Sequence, residues 1–274
     1  MKSELRASTR VHVAGCPVDS ISLDEAVREL TSRLEGRRKT HVVFVNAAKV
    51  VQYRKSSELR TAMARADFLL ADGVPIVWAS KLQKASLPGR VNGTDLMERM
   101  LQVSQDRGYR VYLFGARAEV LECAVAEIRN RHPRLEIAGW RHGYFSREEE
   151  PEIIHQINQS RPDLLFLGMS TPTKELWGDS NLPHLNVAVC QGVGGSFDIL
   201  AGTIRRAPRW LQRAGLEWFF RLLQEPRRLW RRYLTTNSAF LWLVLKGLPV
   251  SLLKWLKGSK TFAKSFRPRF GQRL

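Results

Sequence analysis

From about residue 11 to residue 200 the chain alternates between short runs of β-branched and other apolar residues and longer stretches in which apolar positions recur every three or four residues. The short runs have strand length, and the longer stretches each carry the one apolar face of an amphipathic helix. This pattern predicts strands at 41–46, 68–71, 110–114, 136–138, 163–167 and 186–190, with helices at 24–34, 47–64, 94–107, 120–131 and 148–159. Strands and helices in regular alternation predict a Rossmann-like, layered α/β domain with a mainly parallel sheet. In such open sheets ligands sit beyond the carboxyl ends of the strands, so the residues that follow each strand are the ones to inspect.

Those strand ends are small or polar as a set. Asn46 closes the first run, Ala71-Asp72-Gly73 the second, Phe114-Gly115-Ala116 the third, Gly168-Met169-Ser170-Thr171-Pro172 the fifth and Gly192-Val193-Gly194-Gly195 the last. Asp72 falls at a strand tip in a permissive turn, where a carboxylate serves either as a general base or as the cap of a helix starting near Pro75. The segment 192–198, ending at Asp198, follows an apolar run and opens a short helix, so it is either a phosphate cradle or a tight turn. Arg90 stands in a loop just before a helix that Thr94 or Asp95 would cap. It suits bidentate diphosphate binding or plain solvation equally.

Beyond residue 202 the composition changes. The chain carries 44 Lys+Arg against 26 Asp+Glu, a net +18, but residues 203–274 alone hold 17 basic residues against two acidic ones, Glu217 and Glu225. Five of the eight tryptophans lie there too: Trp210, Trp218, Trp230, Trp242 and Trp255. We therefore divide the chain into an α/β core, 1–202, and a basic helical appendage, 203–274, with helices at 208–224 and 226–235. Trp beside Lys/Arg and Leu favours the headgroup layer of an anionic membrane over a nucleic acid. The apolar stretch 239–256 is interrupted by Lys246, Pro249 and Lys254. It is expected to lie on a membrane surface, since a spanning helix needs about 20 mostly apolar residues.

Several chemistries find no support. The histidines His12, His41, His132, His142, His155 and His184 are scattered, the cysteines Cys16, Cys123 and Cys190 form no C-x-x-C pair, and no G-x-S-x-G occurs. No metal site, disulfide framework or serine triad is expected. Residues 192–198 do not have the G-x-G-x-x-G spacing of dinucleotide enzymes, so no cofactor is expected. The first residues contain no apolar run, and no signal peptide is expected.

Taken in order, the strand-end motifs resemble the WecG/TagA/CpsF glycosyltransferase family. The resemblance rests on Val45-Asn46-Ala47, Ala71-Asp72-Gly73-Val74-Pro75, Arg90-Val91-Asn92-Gly93-Thr94-Asp95-Leu96, Tyr112-Leu113-Phe114-Gly115-Ala116, residues 168–175 and 192–198, Ala201-Gly202, Arg206 to Trp210, and Gly215-Leu216-Glu217-Trp218.

The resemblance implies inverting transfer from a UDP-sugar to an undecaprenyl-diphosphate-linked sugar, without a metal, at the cytoplasmic face of the plasma membrane. It implies Asp72 as the base, Asn46 and Arg90 as pocket residues, and Arg221, Arg228 and Arg231 as appendage arginines that offset the charge of the departing diphosphate. The further donor and acceptor contacts we expect are Gly73, Asp95, Gly115, Lys174, Glu175, Gly192, Gly194 and Asp198. Two positions depart from the family pattern: Lys174 stands where Gln is usual in P-x-Q-E, and Phe44 where Thr precedes the Asn by two. Both are expected near the donor, leaving it open among N-acetylmannosamine, its uronic acid, glucose and other hexoses. An inactive membrane-surface scaffold of the same fold is the first alternative, a nucleic-acid-binding protein acting through the basic tail the second, and a homo-oligomer is compatible with the sequence.

Overall fold

The computed structural model describes residues 9–247. A hairpin of β1 (Arg10–Val13) and β2 (Cys16–Asp19) precedes α1 (Leu23–Glu35), and the main sheet begins at β3 (Thr40–Val45). Then follow α2 (Ala47–Lys55), α3 (Ser57–Arg65), β4 (Phe68–Ala71), α4 (Val74–Leu82), α5 (Gly93–Arg107), β5 (Val111–Gly115), α6 (Ala118–Arg131) and β6 (Ile137–Arg141). The second half runs through α7 (Glu150–Ser160), β7 (Leu164–Gly168), α8 (Thr173–Asn181), β8 (Val189–Gly192) and α9 (Ser196–Leu200), and ends with α10 (Arg209–Arg213), α11 (Glu217–Gln224) and α12 (Pro226–Lys246).

Six strands form one sheet in the order β4-β3-β8-β7-β5-β6, every neighbouring pair parallel. Parallel strands covered on both faces carry continuous apolar runs, and all six residues of β3 are buried. On one face α1, α5, α6 and α9 pack in a cluster that includes Leu30, Met97, Val125 and Phe197. On the other, the hairpin, α2, α3 and α4 surround Val45 and Leu69, and α7 and α8 cover Leu165 and Leu167. The mixed α/β architecture with a parallel sheet is the one the alternation predicts.

The structure revises several boundaries. The helix expected over 47–64 is two, because Ser56 is extended (φ −111°, ψ 121°) and its hydroxyl caps α3 by accepting from Leu59 N. The helix expected over 208–224 breaks at Gly215, whose φ of +72° suits glycine and not a helix interior. The helix expected over 226–235 continues to Lys246. Its Phe240 and Val244, one turn apart, find a buried seat in the cluster beneath the hairpin and α2. The start of the stretch expected to lie on a membrane therefore belongs in part to the core, while Leu241, Trp242 and Leu245 on the same helix stay exposed. The rest of that stretch and the basic end lie outside the described residues. Among the described residues no helix is long and apolar enough to cross a membrane.

The hairpin, absent from the expected elements, is pinned by a buried charge. Asp19, 1% exposed, accepts from Arg10 Nε at 2.9 Å and from the backbone N–H of Leu69 at 2.7 Å, tying β2 to β4.

Candidate active site

Four strand ends meet on one rim. Asn46 ends β3 and caps α2 by accepting from Lys49 N at 3.0 Å. Asp72 ends β4, and its N–H reaches back to Val45 O at 2.8 Å, which locks the two tips together. The next residue, Gly73, has φ +108°, a conformation that leaves the Asp72 side chain on the rim and starts α4. The Asn92 amide donates to Asp72 Oδ1 at 3.2 Å. Asp72 is half-buried. Burial, then the nearby Glu217 carboxylate, push its pKa up to about 6, against the pull of Lys49, Arg90 and Arg221.

Beneath this carboxylate lies a buried charge network. Lys49 pairs with Glu175, their side chains 2% and 1% exposed. Lys174 Nζ donates to Thr171 Oγ1 at 2.6 Å and pairs with Glu175 Oε1 at 3.0 Å. Burial, and then the neighbouring Lys49 charge, lower the Lys174 pKa to about 8. Burial pushes the Glu175 carboxyl up, but the two ammonium groups outweigh it and hold it at about 2.

The glycine-rich loop after β8 threads between cations from two directions. A Cβ on Gly192 would lie 3.1 Å from Lys174 Cδ, and one on Gly195 would lie 2.7 Å from Arg221 Nη2. Gly194, at φ +55°, has Lys174 Nζ 3.9 Å from where its Cβ would be. The loop thus exposes backbone between an ammonium and a guanidinium, an arrangement suited to a diphosphate.

The model of the family described as "Glycosyl transferase WecG/TagA/CpsF family" matches residues 11–251. The chain belongs to the WecG/TagA/CpsF glycosyltransferase family. Among its relatives is a protein of Bacillus subtilis (strain 168) named N-acetylglucosaminyldiphosphoundecaprenol N-acetyl-beta-D-mannosaminyltransferase, 32% identical over 209 residues, 76% of this chain and 77% of the relative. A protein of the same name from Staphylococcus aureus (strain MW2) is 28% identical over 268 residues, 97% of this chain and all of the relative.

In this WecG/TagA/CpsF chain the structure gathers Asn46, Asp72, Gly73, Arg90, Lys174, Glu175, Gly192, Gly194 and Arg221 about one rim. The other expected contacts differ in their surroundings. Asp95 forms an ion pair with Arg206. Gly115, at φ +134°, is required by packing: its Cβ would fall 2.5 Å from the Gly168 backbone, and β5 is three strands away from β3. Asp198, in α9, lies at the glycine-rich loop beside Arg221, with Oδ2 3.6 Å from where a Gly195 Cβ would be. Arg231 is exposed on α12 with its guanidinium 5.2 Å from the Trp230 ring centre. The backbone of Arg228 belongs to α12, and its side chain lies outside the described residues. Phe44, expected near the donor, turns into the core, and its ring lies 3.6 Å from where a Gly93 Cβ would be.

Sequence reasoning missed three residues of this site. Lys49 carries a signal, a lone cation in the first turn of a helix otherwise flanked by apolar residues. Asn92 is an N-cap, accepting from Thr94 and Asp95, whose amide end is free to reach Asp72. Glu217 carries a signal as well, one of two acidic residues in a strongly basic segment, but nothing local ties it to Arg90.

Proposed function

We propose that this protein is an inverting transferase that moves a sugar from a UDP-sugar to an undecaprenyl-diphosphate-linked sugar, adding the second sugar of a cell-envelope polysaccharide unit. The observation that carries this reading is the half-buried Asp72 carboxylate on the same rim as a glycine-rich loop flanked by Lys174 and Arg221. A base with a pKa about one unit below neutrality is mostly ionised at pH 7 and still accepts a proton. Asp72 takes the proton of the acceptor hydroxyl, the hydroxyl oxygen attacks the anomeric carbon in line, and the bond to UDP breaks. Lys174 and Arg221 offset the charge on the departing diphosphate. The name shared by the relatives supports the lipid-diphosphate acceptor.

In this reading residues 203–274 form an appendage that completes the site and holds the protein peripherally on the anionic cytoplasmic face of the plasma membrane. The exposed Trp218, Phe219, Leu223, Trp230 and Trp242 support that contact.

Incubating the full chain with a panel of UDP-sugars and prenyl-diphosphate-N-acetylglucosamine, with product linkage analysis, tests the reading. Asp72→Asn is expected to lower turnover by roughly 10²–10⁴-fold, the scale of a lost general base, with UDP binding retained. No UDP release with any donor would favour an inactive scaffold.

A further inference from the structure

Arg90 does not stand free at the pocket. Its Nη1 donates to Glu217 Oε2 at 3.0 Å and its Nη2 to Gln212 Oε1 at 3.0 Å, so both terminal nitrogens of the guanidinium are held by the appendage, from α11 and α10. Two residues further on, Asn92 holds Asp72. Between them the N–H of Val91 donates to Ala71 O at 2.7 Å, at the tip of the strand that carries Asp72. Three consecutive residues therefore run from the appendage to the carboxylate with every link hydrogen-bonded. Gly215, between α10 and α11, sits so close to α4 that a Cβ there would come within 2.9 Å of Val74 Cβ. The appendage is thus pressed against both sides of the Asp72 turn.

We propose that Glu217 and Gln212 are positioning residues for Asp72: by gripping Arg90 they fix the 90–92 segment that orients the carboxylate, so docking of α10–α11 sets the charge state and aim of the base. This rests on the reading of Asp72 as the base. The charged groups acting on Asp72 are Glu217 and Arg221 from α11, Lys49 from α2 and Arg90 from the loop, and Asp72 in turn acts on Lys174 from α8. Glu217 therefore acts twice. Its own charge disfavours ionised Asp72, and its hydrogen bond with Arg90 fixes the segment that carries Asn92.

The test is the pH profile of kcat/KM for the full chain, wild type against Glu217→Gln. Neutralising Glu217 removes a charge that disfavours ionised Asp72, so the acid limb is expected to move down by roughly one pH unit, the low end of what a neighbouring charge does. At the plateau kcat is expected to fall severalfold, with the donor KM changed less than twofold. A merely structural role would reduce the active fraction and leave the limb in place, and that outcome overturns the proposal. Should Glu217→Gln not fold, Gln212→Ala carries the test: kcat severalfold lower at unchanged donor KM supports the clasp, and unchanged kcat overturns it. Near-wild-type turnover in Asp72→Asn would remove the base reading itself. An inactive Asp72→Asn beside an unshifted Glu217→Gln profile removes only this inference.

Discussion

Lys49, in the first turn of α2, meets Glu175, in the first turn of α8, in an ion pair from which both side chains exclude nearly all solvent. A buried pair of this kind contributes little beyond an apolar substitute, but removing one partner strands the other charge. Here the two partners are not equivalent, because Lys174 also contacts Glu175.

Lys49→Met is expected to destabilise the protein by roughly 3–5 kcal/mol, leaving Glu175 to Lys174. Glu175→Leu strands two ammonium groups and is expected to cost more. Urea unfolding midpoints of the two variants and of the double replacement order these effects, with the double replacement above Glu175→Leu. Because the folded Glu175 pKa lies below its ordinary 4.5, its stabilisation is present above that value. It is lost as pH falls toward about 2.

Asp72 has the opposite sign. Its folded pKa, about 6, lies above the ordinary 3.8, so the folded state binds more protons between those values. Stability is lost as pH rises through that window. Asp72→Asn is therefore expected to raise the unfolding midpoint at pH 7 while abolishing most turnover, an exchange of activity for stability. The difference in midpoint between variant and wild type should vanish near pH 3.5. A variant less stable than wild type at pH 7 would contradict this.

Lys174 is charged below about 8 and neutral above it. UDP affinity is expected to weaken as pH rises through that value, measurable by titration calorimetry at pH 6.5 and 9. Lys174→Gln removes a charged hydrogen bond of about 1.5–3 kcal/mol and with it the alkaline fall. Its UDP affinity should be roughly 10–100-fold lower at pH 6.5 and flat with pH.

Two glycines separate packing from chemistry. A Cβ at Gly115 meets the Gly168 backbone at 2.5 Å in a left-handed conformation, so Gly115→Ala is expected to destabilise the sheet. A Cβ at Gly195 would crowd the end of the Arg221 side chain, which can swing away, and would touch Asp198 Oδ2 at an ordinary 3.6 Å. Gly195→Ala should therefore keep its melting behaviour near wild type and lose kcat, to about the extent of Arg221→Ala. Thermal melts and initial rates on the same preparations separate the two.

The alternation of apolar runs was enough to place β3, β4, β5, β7 and the helices α1, α5, α6 and α7, because each strand buried on both faces and each amphipathic helix writes its own period locally. It also put Asn46, Asp72 and the 192–195 glycines at strand ends, hence on one rim of a parallel sheet. The two helix breaks were less legible. Ser56 and Gly215 are ordinary residues in a helical pattern until their caps and dihedrals are seen. Charge pairing was not legible at all: Lys49 and Glu175 are 126 residues apart, and Arg90 and Glu217 are 127 apart. Nothing in a local pattern says which cation crosses the sheet to which carboxylate. The order in which the strands assemble decides that, and it gives Arg90 two partners, Glu217 and Gln212, that no local pattern names. Local sequence period fixed the rim; long-range packing chose the partners on it.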